Sequence, residues 1–191
     1  MLNCPLAEID RWPEFFMLRL MLLRHAKSDW SRPGMPDRDR PLNARGRDAA
    51  PRMGAYMARH ALVPDAVIAS TAVRVRETLD LLMPAFDKPP KVVHEAKIYE
   101  AAPETLLKTI RDTARGAHSL LLVGHNPGIG ELAELLIAAG DVETRQQLIE
   151  KYPTGALAVI DFAVDDWTKL HAKGGRLDRF VSPRTLEAET F

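Results

Sequence analysis

Cysteine is nearly missing from this chain of 191 residues. Cys4 stands alone, so no intrachain disulfide can form and the core itself must hold the fold. Such usage fits a reducing cytoplasm, and a cytoplasmic location is expected. Net charge is missing as well: Lys+Arg and Asp+Glu number 26 each, for a formal charge of +0. No global field then attracts nucleic acid or an anionic membrane, and any anion site has to be local. Long apolar runs are also lacking. None approaches the roughly 18 to 20 residues that span a bilayer, and the stretch from Phe15 to Leu23 is broken by Arg19. Glu8, Asp10 and Glu14 upstream give the wrong charge pattern for a secretory leader. There is no internal repeat and no low-complexity block.

What is present is a hydrophobic content of 46%, enough for a full core at this length. One domain is expected over 17–191. Residues 1–16 read as a poorly ordered extension, or as sequence upstream of a start at Met17 or Met21.

Leu18 to Leu23 predicts a buried strand, followed by a Pro-, Gly- and Asp-rich loop from Ser31 to Pro41. Ala49, Met53, Tyr56, Met57 and His60 then share a helical face, with Asn43 as N-cap and Pro51 predicting a kink or a later start. Ala66 to Ala69 predicts a short strand leading to a helix bearing Ala72, Val75, Leu79, Leu82 and Met83, which Pro84 ends. A weaker strand spans Lys91 to His94. Pro103 opens a helix with Leu106, Leu107, Ile110 and Ala114. Ser119 to Val123 is a strong strand that turns through Gly124 to Gly128 into a helix with Ile129, Leu132, Ala133 and Leu136. Such alternation implies right-handed crossovers and an α/β fold, a three-layer α/β/α sandwich around a mainly parallel sheet. Ala156 to Phe162, Thr168 to Lys173 and Arg176 to Val181 read as C-terminal antiparallel edge strands.

Chemistry concentrates at three strand ends: Arg24-His25, the segment Ser70 to Thr78 with Arg74, and Gly124-His125. Ligands of open α/β sheets collect where strands end. A parallel sheet can therefore make neighbours of His25 and His125, far apart in the chain. Each segment alone is ambiguous, since a strand-end His is more often structural than catalytic. His60, His94, His118 and His171 have no partner at metal-site spacing and read as structural, so no metal and no cofactor is expected. Arg45, Arg47 and Arg52 read as a solvated basic turn, and Met53 and Met57 as core.

Together the segments resemble the histidine phosphatase superfamily, the acid phosphatase and phosphoglycerate mutase-like proteins. Leu23-Arg24-His25-Ala26 is similar to its Arg-His-Gly signature with Ala in place of Gly. Ser70 to Thr78 is similar to its second-arginine segment, and Val123-Gly124-His125-Asn126 to its second-histidine segment. Arg24 to Ser28, Asp39 to Asn43, Gly124 to Gly128 and Pro153 to Leu157 resemble the SixA-type phosphohistidine phosphatase group, over about Leu18 to Arg184.

The resemblance implies that His25 attacks phosphorus through a neutral ring nitrogen and forms a phosphohistidine that water hydrolyses. It implies that Arg24 and Arg74 grip phosphoryl oxygens, and that His125 stabilises charge in the transition state as a protonated imidazole or a hydrogen-bond donor. Lys27, Ser28 and Asn126 are implied to bind substrate, although a solvated loop also accounts for the first two. Glu100 is the implied general acid, with Glu95, Asp29 and Asp39 as rivals and helix capping as its alternative role. An imidazole leaving group, with a pKa near about 6.5, departs with little help from an acid. The implied function is removal of phosphate from phosphohistidine on a protein partner such as a phosphotransfer domain. The alternatives are a small phosphorylated metabolite as substrate, or a noncatalytic phospho-binding module.

Overall fold

The computed structural model describes residues 17–188, and the expectation for residues 1–16 lies outside them. The strands and helices follow in the order β1 (Leu18–Arg24), α1 (Ala44–Arg59), β2 (Ala66–Ser70), α2 (Val73–Leu82), β3 (Lys91–Glu95), α3 (Pro103–Thr113), β4 (Ser119–Gly124), α4 (Gly128–Leu136), β5 (Ile137–Ala139), α5 (Val142–Glu150), β6 (Leu157–Phe162), β7 (Gly175–Val181) and α6 (Pro183–Ala188). They build one seven-stranded sheet in the order β3-β2-β4-β1-β6-β7-β5. β1, β2, β3 and β4 are mutually parallel, while β6 runs antiparallel to both β1 and β7. The short β5 joins β7 in parallel at the outside.

Alternation along the central strands sorts the core into two layers. Leu18, Leu20 and Leu22 of β1, with Leu120 and Leu122 of β4, pack under α3 and α4. Met21, Leu23, Leu121 and Val123 face the opposite layer of α1, α2 and α6. Both faces are covered, which is why β1 and β4 read as continuous apolar runs. The three-layer expectation is met.

One local expectation narrows, one fails, and three short elements had none. α1 begins at Ala44, capped by Asn43 Oδ1 accepting from the Gly46 amide at 3.0 Å, and it carries Pro51 inside rather than starting after it. Thr168 to Lys173 is not a strand. Asp166 Oδ1 accepts from the Thr168 amide and hydroxyl, both at 2.7 Å, folding Trp167–Lys169 into a 3-10 turn. Trp167 is buried there, and its Nε1 donates to the Ala117 carbonyl. Finally, β5, α5 and α6 carry no readable pattern. β5 has three residues, and α5 buries only Leu148 while Val142 and Ile149 stay exposed.

No described helix is long and apolar enough to cross a membrane.

Candidate active site

Strand register assembles the site. Arg24 of β1 pairs with Gly124 of β4, and the His25 amide donates to the Gly124 carbonyl at 3.1 Å. One residue further on, His25 and His125 stand side by side with ring centroids 5.2 Å apart. On the other flank of β4, Ala69 lies opposite Val123. Ser70 therefore arrives beside His125, its Oγ 2.8 Å from Nε2. Arg74, in the first turn of α2, bridges the two imidazoles: Nε is 3.3 Å from His25 Nε2, and Nη2 is 3.2 Å from His125 Nδ1.

These partners define the protonation of both rings. His25 Nδ1 lies 2.7 Å from the Ala26 carbonyl. A carbonyl only accepts, so Nδ1 carries the proton and Nε2 keeps its lone pair. Burial holds the His25 pKa down at about 4, against the Ala26 hydrogen bond and with help from the charges of Arg74 and Arg24. A guanidinium only donates, so His125 Nδ1 is the acceptor and Nε2–H donates to Ser70 Oγ. Burial, then the neighbouring His25 and Arg74, lower His125 to about 3. Both rings are neutral near pH 7. In this arrangement His125 presents a lone pair, not a proton, to Arg74.

Arg24 is tied through Nη1 to the Tyr152 carbonyl at 2.7 Å, and Asn126 Nδ2 donates to the same oxygen at 3.2 Å. Burial and the charge of Arg74 lower the Arg24 pKa, yet a guanidinium stays charged. Behind it, Gly155 donates its amide to the carbonyls of Arg24 and His25 at 3.1 and 3.0 Å. The Gly155 φ of 76° is one that a side chain would strain. Thr78 Oγ1 accepts from the Ala26 amide at 3.0 Å and donates to the Arg74 carbonyl at 2.6 Å, locking the first loop to α2.

A carboxylate that sequence reasoning did not single out completes the group. Arg74 donates from Nη1 to the Asp37 carbonyl at 2.6 Å and from Nη2 to Asp37 Oδ2 at 2.8 Å. Tyr99 donates its hydroxyl to the same Oδ2 at 2.7 Å, and its ring meets His125 edge-on at 5.1 Å. Partial burial works against the Asp37 charge, but the Tyr99 hydrogen bond and Arg74 outweigh it and hold Asp37 below the usual carboxylate range.

Arg24, His25, Arg74 and His125 are thus gathered at one end of the sheet. Glu100 also arrives, but at the rim: its Oε1 is 3.7 Å from Arg74 Nη2 and its side chain is 55% exposed. It does not cap α3, whose N-cap is Ala102 without a side-chain hydrogen bond. Asp29 accepts from the Ser31 amide, Glu95 pairs with Lys97, and Asp39 is exposed. The Lys27 side chain is exposed, while its carbonyl accepts from the Asn43 amide at 3.0 Å. Ser28 is buried and its Oγ accepts from Trp30 Nε1 at 3.1 Å. Asp37, Ser70 and Tyr99 were missed because nothing in local spacing separates Asp37 from Asp39, or marks Ser70 as a histidine partner.

Two neutral imidazoles, one with an available Nε2 lone pair, beside the buried guanidinium of Arg74 and the half-buried one of Arg24 suit nucleophilic attack on a tetrahedral oxyanion. The comparisons agree. The family model of the histidine phosphatase superfamily (branch 1) matches residues 20–106. An uncharacterized protein of Mycobacterium tuberculosis is 34% identical over 164 residues, 85% of this chain and 100% of that one. Among solved structures, the protein assigned as the phosphohistidine phosphatase SixA from Agrobacterium tumefaciens superposes with a TM-score of 0.73 at 32% identity, covering 87% of this chain and 98% of that one. The protein histidine phosphatase SixA complexed with tungstate shares the fold, with a TM-score of 0.71 at 20% identity over 88% and 99% of the two chains. With the strand-end histidines and the second arginine in place, the chain belongs to the histidine phosphatase superfamily.

Proposed function

We propose that this protein is a cytoplasmic, metal-independent phosphatase that removes phosphate from phosphohistidine on a protein partner, such as a phosphotransfer domain. The observation that carries the reading is His25 itself, neutral, with Nδ1–H held by Ala26 and Nε2 against Arg74. In the first step Nε2 bonds to phosphorus as the substrate P–N bond breaks, and the departing imidazole takes a proton from solvent. Arg24 and Arg74 bind the equatorial oxygens. In the second step water attacks phosphorus, the His25 N–P bond breaks, and phosphate leaves while Nε2 regains its lone pair.

The carboxylates favour the phosphohistidine class. Asp37 is held ionised by Tyr99 and Arg74, and Glu100 forms an ion pair with the same guanidinium. Asp37 is therefore not arranged to keep a proton for an alkoxide, whereas a departing imidazole needs little help. The likeness to the A. tumefaciens SixA protein supports the same class.

Quenching into alkaline denaturant, in which an N-linked phosphate survives, tests the intermediate with a labelled phosphodonor: label at His25 is expected in wild type and none in His25→Ala. Ranking kcat/KM for a phosphohistidine peptide, a phosphorylated phosphotransfer protein and a panel of sugar and nucleotide phosphates tests the substrate. A large preference for a small metabolite would make the enzyme a phosphomonoesterase.

A further inference from the structure

Asp37 meets Arg74 in the two-point manner in which a guanidinium meets a phosphate. Its carbonyl takes Nη1 and its Oδ2 takes Nη2, at 2.6 and 2.8 Å. The remaining nitrogen, Nε, is engaged by His25 Nε2 at 3.3 Å. A phosphoryl group joined to His25 Nε2 has to part that contact and take donors that Asp37 holds.

Of the two partners, the anion is the one free to move. The Arg74 side chain is 5% exposed and that of Asp37 is 37% exposed. The carboxylate also has partners to fall back on. Oδ2 accepts from Tyr99, and Oδ1 lies 3.5 Å from Arg40 Nε. Arg40 is itself stacked over Trp30 at 4.1 Å, and Trp30 is anchored to Ser28. Releasing Arg74 therefore leaves Asp37 neither unpaired nor desolvated.

We propose that Asp37 is a displaceable stand-in for the phosphoryl group, a positioning residue that occupies Arg74 between turnovers and competes with free phosphate for it. Resting on the phosphatase reading of the site, this assigns Asp37 to product release. Orthophosphate, with no further contacts to offer, must overcome a local anion. A phosphoryl group carried on a protein brings additional contacts with which to displace it.

Calorimetric titration of the full chain with orthophosphate is the test. Asp37→Asn keeps the shape and an acceptor for Tyr99 but removes the charge, and should bind orthophosphate on the order of tenfold more tightly. Asp37→Ala should change in the same direction, and phosphate should become a correspondingly stronger product inhibitor of both variants. A residue serving only structure would loosen the site and weaken binding. Unchanged or weaker orthophosphate binding in both variants overturns the proposal, as does a kcat loss confined to alkyl phosphates at unchanged phosphate affinity. Binding requires no turnover, so the two readings fail separately. Tighter binding without covalent labelling of His25 supports the competitor and removes the phosphatase mechanism. Labelling with no gain in affinity does the reverse.

Discussion

Ser70 and His125 come from neighbouring parallel strands and meet through a 2.8 Å contact between Oγ and Nε2. Ser70 is fully buried, and its hydroxyl is what lets His125 keep Nδ1 free to accept from Arg74. In Ser70→Ala the buried Nε2–H loses its acceptor, at a cost of about 1 to 3 kcal/mol. A lower melting temperature is expected, together with a fall in kcat/KM of roughly tenfold as His125 changes tautomer. Nitrogen-15 NMR of the imidazoles checks the tautomer. An unaltered His125 signal with unaltered activity would refute the coupling.

The two buried histidines make stability depend on pH. Their folded pKa values, about 4 for His25 and about 3 for His125, lie below the unfolded value of about 6.5. Between these limits the unfolded chain binds more protons than the folded one, so stability falls as pH falls through the window. The depression at His25 corresponds to about 3 kcal/mol. Melting temperature should drop from about pH 7 to pH 4, with a shallower slope in His25→Asn. Formation of the phosphoenzyme should hold steady down to about pH 5, because His25 keeps its lone pair there. A rate that falls with an apparent pKa near about 6.5 as pH is lowered would show an ordinary, solvated nucleophile, since protonation of the leaving imidazole acts in the opposite direction.

Replacing Arg74 by Lys keeps one charge but cannot reach His25, His125 and Asp37 at once, because those contacts use three separate guanidinium nitrogens. We expect kcat/KM to fall by about 100-fold or more, with most of the loss in kcat. A Lys variant near wild-type activity would mean that charge alone suffices.

Gly128 opens α4 directly behind the His125 loop, and a Cβ there would lie 2.1 Å from the Ala101 carbonyl. Gly128→Ala must push apart α4 and the segment carrying Glu100. A loss of about 1 to 3 kcal/mol is expected in urea unfolding, accompanied by reduced turnover as His125 shifts. Wild-type stability in this variant would show that the two segments separate freely.

Much of the scaffold was legible because its signals are local. Leu20 to Leu23 and Leu120 to Val123 announce strands covered on both faces, and Asn43 announces the start of α1. The pattern failed where tertiary contact replaces it. Trp167 is buried by a turn under Asp166 rather than by strand pairing, and α5 offers a single buried residue to any periodicity.

The site divides in the same way. Arg24, His25, Arg74 and His125 were named from residue type, position at strand ends and family resemblance, because parallel strands deliver their last residues to one edge. Their protonation was decided only by the fold, since burial and the partners Ala26, Ser70 and Arg74 belong to different elements. The carboxylate was decided only there too. The sequence pointed to Glu100 and passed over Asp37, but loop path places Asp37 in hydrogen-bond contact with Arg74 and leaves Glu100 at the rim. Short-range patterning specifies elements and their ends, whereas the meeting of side chains depends on strand register and loop trajectory, which no local window of sequence contains.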